Sequence, residues 1–156
     1  PYLSRGLGDV YKRQELLIRV ESLHSNKQFT PSSRYNLTNL FRSMFALELE
    51  NRLKKTSISV AVAHPGVTKS RQSRPYEVKK FKKSFYTYFS TNIQTGIAPI
   101  IQAIEEDNVS AERVYAPKFF GFYGQPATMQ HNKLVYNEEL RNKLWTFTAN
   151  ELNLDL

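Results

Sequence analysis

Few side chains in this sequence could hold a metal ion. Cysteine is absent, and the three histidines, His24, His64 and His131, share no ligand spacing. Zinc sites draw on cysteine, histidine and carboxylate side chains at short, regular intervals. The sequence therefore predicts no metal site. The absence of cysteine also excludes a disulfide scaffold and gives no sign of an oxidising compartment.

Two glycines near the start of the chain, Gly6 and Gly8, could suggest a phosphate-binding loop. A dinucleotide fingerprint needs a third glycine at position 11, a preceding strand and a following helix. Position 11 is Tyr11, and no strand can precede Gly6. Residues 1–14 show no helix or strand periodicity and resemble a translated adapter tail, with an ordinary disordered terminus as the alternative. We therefore predict a non-native or disordered tail over 1–14.

Positive charge is concentrated in residues 69–83, which carry seven Lys/Arg and one acid, most of the chain's net charge of +8. Aromatic residues follow the lysines at helical spacing: Phe81, Phe85, Tyr88 and Phe89. A solvated helix with an apolar underside is one interpretation, contact with an anionic membrane surface is a second and single-stranded nucleic acid a third. No nucleic-acid-binding motif is present, so we expect no nucleic acid partner and keep peripheral membrane contact through 69–89 open.

Hydrophobic periodicity predicts the elements that must position any site. Apolar residues recur at spacings of three and four over 35–55, which indicates a long helix after a polar loop over 15–34. Residues 57–63 are β-branched and predict a buried strand that ends at the turn His64–Pro65–Gly66. The remaining predictions are a helix over 91–106 with irregular first turns, a strand over 113–116, a loop over 117–126 and a last helix to 152 capped by Asn137.

A long helix followed by a strand that is too apolar for a one-sided sheet indicates an α/β protein with a parallel sheet, because strands of parallel sheets are covered on both faces. The length of 156 residues fits one domain, and 40% hydrophobic residues exclude the disordered class. The longest apolar run, 58–63, is too short to span a bilayer, and no signal-peptide pattern is present. We therefore expect a cytoplasmic protein.

Several segments in order resemble short-chain dehydrogenases/reductases, most closely the retinol-dehydrogenase-like and protochlorophyllide-reductase-like branch. Tyr35, the run Phe45-Ala46-Leu47-Glu48-Leu49 and His64-Pro65-Gly66-Val67 are similar to the family's stretch from its catalytic tyrosine to the loop after the next strand. The resemblance covers about 15–156 and continues downstream in further pieces: Tyr115, Gly121, Gly124, Pro126, Glu138-Glu139-Leu140 and Leu144-Trp145.

The resemblance implies the C-terminal part of a Rossmann-like, doubly wound parallel sheet over 15–156, with helices outnumbering strands and the N-terminal dinucleotide-binding half missing. It implies hydride transfer between NAD or NADP and a small carbonyl or alcohol, which the aromatic segment suggests is lipophilic. The family's phosphate loop, ribose-reading acid and catalytic serine would precede residue 15. We therefore expect no tight cofactor binding and no turnover from this chain, and the sequence does not predict an oligomeric state.

By the same resemblance, Tyr35 is the general acid/base, and the family's lysine position four residues later holds Asn39. A lysine one helical turn away lowers the pKa of a phenol from its ordinary value of about 10. Asn39 can hydrogen-bond a ribose hydroxyl but carries no charge. We therefore expect reduced or absent activity. A non-catalytic protein of the same type, serving in protein or membrane-surface interaction, is the alternative.

The cofactor-binding residues that the resemblance implies lie after the predicted strand. Backbone groups of Pro65, Gly66 and Val67 would meet the nicotinamide carboxamide, and Ser70 falls where the family has a threonine that contacts the phosphates. Ligands of open α/β sheets bind at the carboxyl ends of strands, which is where this turn is predicted to lie. An ordinary strand-to-loop turn is the alternative interpretation.

Overall fold

A computed structural model of the chain describes residues 31–68 and 91–154. Its regular elements, in chain order, are α1 (Pro31–Leu53), β1 (Val62–Ala63), α2 (Ile93–Glu105), β2 (Arg113–Phe119), β3 (Tyr123–Gln130), a 3-10 helix (Lys133–Tyr136) and α3 (Glu138–Glu151). The chain divides into two compact units at Glu48/Leu49 and His131/Asn132. Within the described ranges, helices outnumber strands and two strands pair in parallel, which confirms the predicted α/β class.

The first unit is helical and combines α1 up to Glu48 with the 3-10 helix and α3. The Phe45 ring of α1 stacks on the Trp145 ring of α3, with 5.1 Å between centroids and 12° between planes. Asn137 caps α3, as predicted, by accepting a hydrogen bond from Leu140 N at 3.0 Å. The buried face of α1 is formed by apolar residues at spacings of three and four: Leu37, Leu40, Met44 and Leu47.

The second unit holds a three-stranded sheet of order β1–β2–β3, with α2 packed against it. Strand β1 runs parallel to β2, with Val62 opposite Val114, and β2 runs antiparallel to β3. The carboxylate of Glu50 joins the last turns of α1 to the start of β2. It accepts hydrogen bonds from Ala111 N at 2.9 Å and Ser110 Oγ at 3.1 Å. Because β1 and β2 are parallel and β2 and β3 antiparallel, the sheet is mixed, with the predicted parallel pair at one edge.

Helix α2 contacts β2 and β3, and its buried face consists of Gly96, Pro99 and Ala103. Asn92 caps the helix by accepting a hydrogen bond from Thr95 N at 2.7 Å. The irregular first turns predicted here are wrong. The helix continues through Gly96 and Pro99, and Gly96 N still donates to Asn92 O at 3.0 Å. Both residues are compact and lie on the buried face, where they allow close packing.

The strand predicted over 57–63 is much shorter and is not buried. Only Val62 and Ala63 are assigned to β1, and Ile58 is 60% exposed. A parallel strand becomes buried when neighbouring strands and helices cover it on both sides. Among the described residues β1 pairs with β2 alone, so this segment lacks the second neighbouring strand that covers a buried parallel strand.

The loop predicted over 117–126 is largely a β-hairpin. Strand β2 extends to Phe119 and β3 begins at Tyr123, with Pro117 paired opposite Pro126. Prolines and glycines indicate a loop locally, but cross-strand pairing overrides that preference. Helix α1 likewise starts at Pro31 rather than Tyr35, because proline suits the first turn of a helix.

Several predictions fall outside the described residues. They concern the tail over 1–14, the loop over 15–30, Ser70 and the basic aromatic segment 69–89. In the part of the chain that is described, every helix is too short or too polar to cross a membrane.

Candidate functional site

The turn after β1 is the part of the candidate site that the structure describes most fully. His64 N donates to Tyr115 O at 2.7 Å, which continues the parallel pairing with β2 up to the turn. Gly66 has a φ of +73°, a conformation that glycine adopts without the penalty a β-carbon would incur. The chain therefore reverses at Gly66, at the carboxyl end of a parallel strand, as the sequence predicts.

The hairpin turn between β2 and β3 packs directly on the 65–67 turn. Val67 N donates to Phe122 O at 3.0 Å, and Thr91 N donates to Val67 O at 2.8 Å. A β-carbon at Gly66 would lie 2.5 Å from Phe122 O and 2.8 Å from Pro117 Cγ. Glycine is therefore required at position 66 for two reasons, its backbone angle and the closeness of the hairpin.

The ring of His64 completes this arrangement. Its Nδ1 accepts a hydrogen bond from Gly66 N at 2.9 Å, so a neutral ring carries its proton on Nε2. Burial lowers the pKa of His64 below the ordinary value of 6.5, while a bond to the Gly121 backbone acts in the opposite direction. The imidazole thus links the 64–66 turn to the hairpin turn and favours the neutral form.

Tyr35 and Asn39 lie one turn apart on α1, which is the relation their spacing predicts. The Tyr35 side chain is 61% exposed, and that of Asn39 is partly buried. Next to them, Thr38 Oγ1 donates to Arg34 O at 2.9 Å and is thereby bound to its own helix. The phenol is accessible, and the residue on the lysine position beside it has no charge.

The predicted site residues that the structure describes form two separate sets, each on one local element. Pro65, Gly66 and Val67 form one turn in the second unit, and Tyr35 and Asn39 lie on one helix face in the first unit. Ser70 lies outside the described residues.

Three contributors to the 65–67 turn were not predicted as functional. They are His64, whose catalytic and metal interpretations were set aside, and the backbones of Phe122 and Thr91. A histidine two residues before a glycine in a turn is a local signal that could have indicated the Nδ1 bond. The backbone bonds to Phe122 and Thr91 join residues more than twenty positions apart, and no sequence pattern predicts them.

The hairpin turn itself has an unusual residue. Phe122 N donates to Phe119 O at 2.9 Å, and the two central residues, Phe120 and Gly121, have φ of 53° and 71°. Two positive φ angles are typical of a type I′ turn, where asparagine, aspartate or glycine is preferred first. Phe120 is 84% exposed, so its strained backbone is not compensated by burial of its ring.

A second polar feature involves the side chain of Tyr115. The Tyr115 hydroxyl is buried, and both burial and the Glu106 carboxylate that it contacts raise its pKa. An open cavity of about 460 Å³ borders Glu106 at the end of α2. Its lining comprises Ala98, Ile101, Gln102, Glu105, Glu106 and Pro126.

The turn can meet a nicotinamide cofactor through a carbonyl oxygen rather than through its N–H groups. The N–H groups of Gly66 and Val67 are both engaged within the protein, by His64 and Phe122. Val67 O already accepts from Thr91 N and Thr91 Oγ1, whereas the Gly66 carbonyl oxygen has two lone pairs with which it can accept from the amino group of a carboxamide. Within residues 31–68 and 91–154, no three His, Asp or Glu side chains group as metal ligands would.

Comparison with known proteins indicates a relationship to short-chain dehydrogenases/reductases. No protein-family model matches the chain. The chain is 26% identical over 141 residues to retinol dehydrogenase 14 of Mus musculus, a match that covers 87% of this chain and 40% of that protein. The chain therefore spans less than half the length of this relative.

A solved structure supports the fold. An uncharacterized protein from Mycobacterium paratuberculosis superposes with a TM-score of 0.63 at 18% identity, over 85% of this chain and 44% of that one. At this identity the likeness concerns the fold alone. Together, the two matches support the α/β fold and give this chain a sequence similarity to a retinol dehydrogenase.

Proposed function

We propose that residues 15–156 are the C-terminal portion of an NAD(P)-dependent oxidoreductase of the short-chain dehydrogenase/reductase type. The substrate would be a small lipophilic carbonyl or alcohol. The observation that carries the proposal is the turn at Pro65–Val67, which follows a parallel strand and is held by His64, Phe122 and Thr91. Rigid turns in this position are where open α/β sheets bind ligands.

The chemistry assigned to the chain's own residues is proton transfer and orientation. A bound nicotinamide cofactor would supply the hydride chemistry. The Tyr35 hydroxyl would donate a proton to the carbonyl oxygen during reduction and accept one from the alcohol during oxidation. The Gly66 carbonyl oxygen of the 65–67 turn would accept a hydrogen bond from the carboxamide, and Asn39 would hydrogen-bond a ribose hydroxyl.

Asn39 sets the expected rate. A tyrosine is a weak acid/base near neutral pH unless a nearby positive charge favours its phenolate. Asn39 supplies no such charge, so the proposed activity is low. Replacing Asn39 with lysine would place an ammonium group one helical turn from the hydroxyl.

The test uses the complete reading frame that contains residues 15–156. Oxidation of NADH and of NADPH is measured with medium-chain aldehydes and ketones. We expect slow turnover that Tyr35→Phe lowers by about 10²-fold or more and that Asn39→Lys raises by about tenfold or more. Tyr136→Phe, a matched change at another exposed tyrosine, should leave the rate unchanged. Equal rates for Tyr35→Phe and the unmodified protein would refute the assignment.

Asn39 also favours a second function, that of a non-catalytic protein of the same type that acts by interaction. In this case the complete protein binds a partner or a membrane surface, with residues 69–89 as the proposed contact for an anionic membrane. Sedimentation with phosphatidylserine vesicles at low and high salt tests it. Salt-sensitive binding that is lost when Lys79, Lys80, Lys82 and Lys83 become glutamine supports this function, and binding unaffected by either change argues against it.

A further inference from the structure

We propose that His64 is a positioning residue for the cofactor-binding turn, acting as the neutral imidazole that accepts the Gly66 N–H at Nδ1. This inference rests on the proposed function, since it assigns a task to a residue beside the proposed cofactor site. It adds a residue that sequence reasoning had set aside.

The geometry of the bond explains the choice of side chain. An acceptor on residue i that binds the N–H of residue i+2 is the arrangement that asparagine and aspartate use to close a local turn. The His64 Nδ1 takes this place, 2.9 Å from Gly66 N. Because Pro65 has no N–H, the Gly66 amide is the first donor after His64 that the turn must satisfy.

The second nitrogen of the ring ties the turn to the hairpin. With Nδ1 accepting, Nε2–H is the donor available to the backbone of Gly121. The adjacent residue of the hairpin, Phe122, accepts from Val67 N at 3.0 Å. The imidazole and this backbone bond therefore fix the turn from two sides.

Protonation of His64 removes the acceptor for the Gly66 N–H. A charged imidazole is a donor at both nitrogens and can no longer accept the Gly66 N–H. The hairpin packed against the turn carries several titratable groups, namely Arg113, Tyr115, Lys118 and Tyr123. Helix α2, which contacts β1, carries Glu105. Burial lowers the pKa of His64, and the bond to the Gly121 backbone acts in the opposite direction. The arrangement should therefore respond to pH through His64 itself.

The direct test measures the Gly66 amide in the 156-residue chain by NMR, without cofactor. We expect ¹⁵N shifts of His64 that report the Nε2–H tautomer at neutral pH. Gly66 exchange, after correction for the intrinsic pH dependence of exchange, should become about five- to tenfold faster as His64 protonates. An Nδ1–H tautomer at neutral pH would overturn the proposal even before any variant is made.

Variants separate positioning from mere structure. His64→Asn keeps an acceptor for Gly66 N–H and does not titrate, so Gly66 should remain protected at all pH values tested. His64→Ala should expose Gly66 at every pH. His131→Asn is the matched control, because the buried His131 also has a lowered pKa and bonds to Ala111 O at the other end of the hairpin. Unchanged protection of the Gly66 amide in His64→Ala would contradict the proposal.

Binding of NADH by the complete protein then distinguishes the two proposals. We expect affinity to fall as His64 protonates, and to become insensitive to pH over this range in His64→Asn. If Gly66 behaves as expected but no variant binds NADH or NADPH at any pH, the oxidoreductase proposal fails and the assignment to His64 as cofactor-positioning residue fails with it, whereas the turn-closing bond stands. If NADH binds but the amide exchange of Gly66 does not depend on His64, only the His64 proposal fails.

Discussion

The Glu48 carboxylate of α1 and the Arg141 guanidinium of α3 are buried together, with Arg141 Nε 3.4 Å from Glu48 Oε2. Arg141 Nη1 also donates to Val135 O at 3.0 Å, at the 3-10 helix. Both side chains are less than a tenth exposed. This charged contact joins the helix that carries Tyr35 to the last helix of the chain, within one compact unit.

Removing one member of this pair should destabilise the protein strongly. Glu48→Gln or Arg141→Met breaks this buried ion pair from one side, a change that typically costs about 3–5 kcal/mol. Replacing both with apolar residues, as in Glu48→Leu with Arg141→Met, should cost much less or even stabilise. Urea unfolding followed by the fluorescence of Trp145, the single tryptophan, gives the free energies of unfolding.

The exposed pair Glu139–Lys143 provides the control for this experiment. Its ammonium and carboxylate are 2.6 Å apart, but both side chains lie mostly in solvent. Lys143→Met should therefore have a far smaller effect than Arg141→Met. Equal effects of the two substitutions would show that the Glu48–Arg141 contact contributes no more than a surface pair.

Gly96 should be required by its packing against Thr68. A β-carbon on Gly96 would collide with Thr68 Cγ2 and approach Pro65 O to 3.3 Å. Gly96→Ala should destabilise by about 1–3 kcal/mol, although alanine is the better helix former. Thr68→Ser removes the obstructing methyl group, so the double variant should recover most of the loss in thermal unfolding. Failure of Thr68→Ser to rescue would contradict this packing.

Phe120 should be replaceable with a gain in stability. Its φ of 53° is unfavourable for a phenylalanine, and its ring is not buried. Asparagine tolerates this conformation, so Phe120→Asn should raise the free energy of unfolding by about 0.5–1 kcal/mol. Phe122→Asn, at a neighbouring position without positive φ, is the control and should give no such gain. A loss of stability in Phe120→Asn would indicate that the exposed ring makes a contact that compensates its strain.

Stability should fall on acidification because two histidines, the half-buried His64 and the buried His131, favour the neutral form in the folded chain. Burial lowers the pKa of His64 and of His131 below 6.5 in the folded chain. As pH falls through 6.5, the unfolded chain binds protons at these sites before the folded chain does. Well above pH 6.5, the contribution of these two histidines to the free energy of unfolding should therefore not change with pH. Below it, stability should decrease by at most about 1.4 kcal/mol per pH unit for each histidine.

Urea unfolding between about pH 5.5 and 7.5, above the range where carboxylates titrate, checks this dependence. His64→Asn and His131→Asn should each make the slope of stability against pH shallower, because each removes one titrating group. A slope that is unchanged or steeper in both variants would show that other groups govern the acid sensitivity.

The sequence predicted the elements whose signals are local. The spacing of Leu37, Leu40, Met44 and Leu47 indicated α1, and Asn137 indicated the start of α3. The wrong predictions concerned elements that depend on distant partners. Residues 57–63 looked buried because their composition suits a covered strand, and 117–126 looked like a loop because its prolines and glycines hide a cross-strand pairing.

The same distinction applies to the candidate site. Tyr35 and Asn39 could be placed on one helix face from their spacing alone, and the 64–66 turn from its proline and glycine. The bonds that hold this turn, from Val67 to Phe122 and from Thr91 to Val67, join residues that no pattern in the sequence connects. The His64 ring was the one positioning group within reach of sequence reasoning.

The most direct test of the proposed oxidoreductase is isotope transfer. The protein encoded by the complete reading frame, with Asn39→Lys to raise the rate, is incubated with NADH or NADPH that carries deuterium at both C4 positions and with a lipophilic aldehyde. Mass spectrometry of the alcohol should find one deuterium at the carbinol carbon, and Tyr35→Phe should abolish its formation. Alcohol without deuterium, or equal transfer by Tyr35→Phe, would contradict hydride transfer assisted by Tyr35.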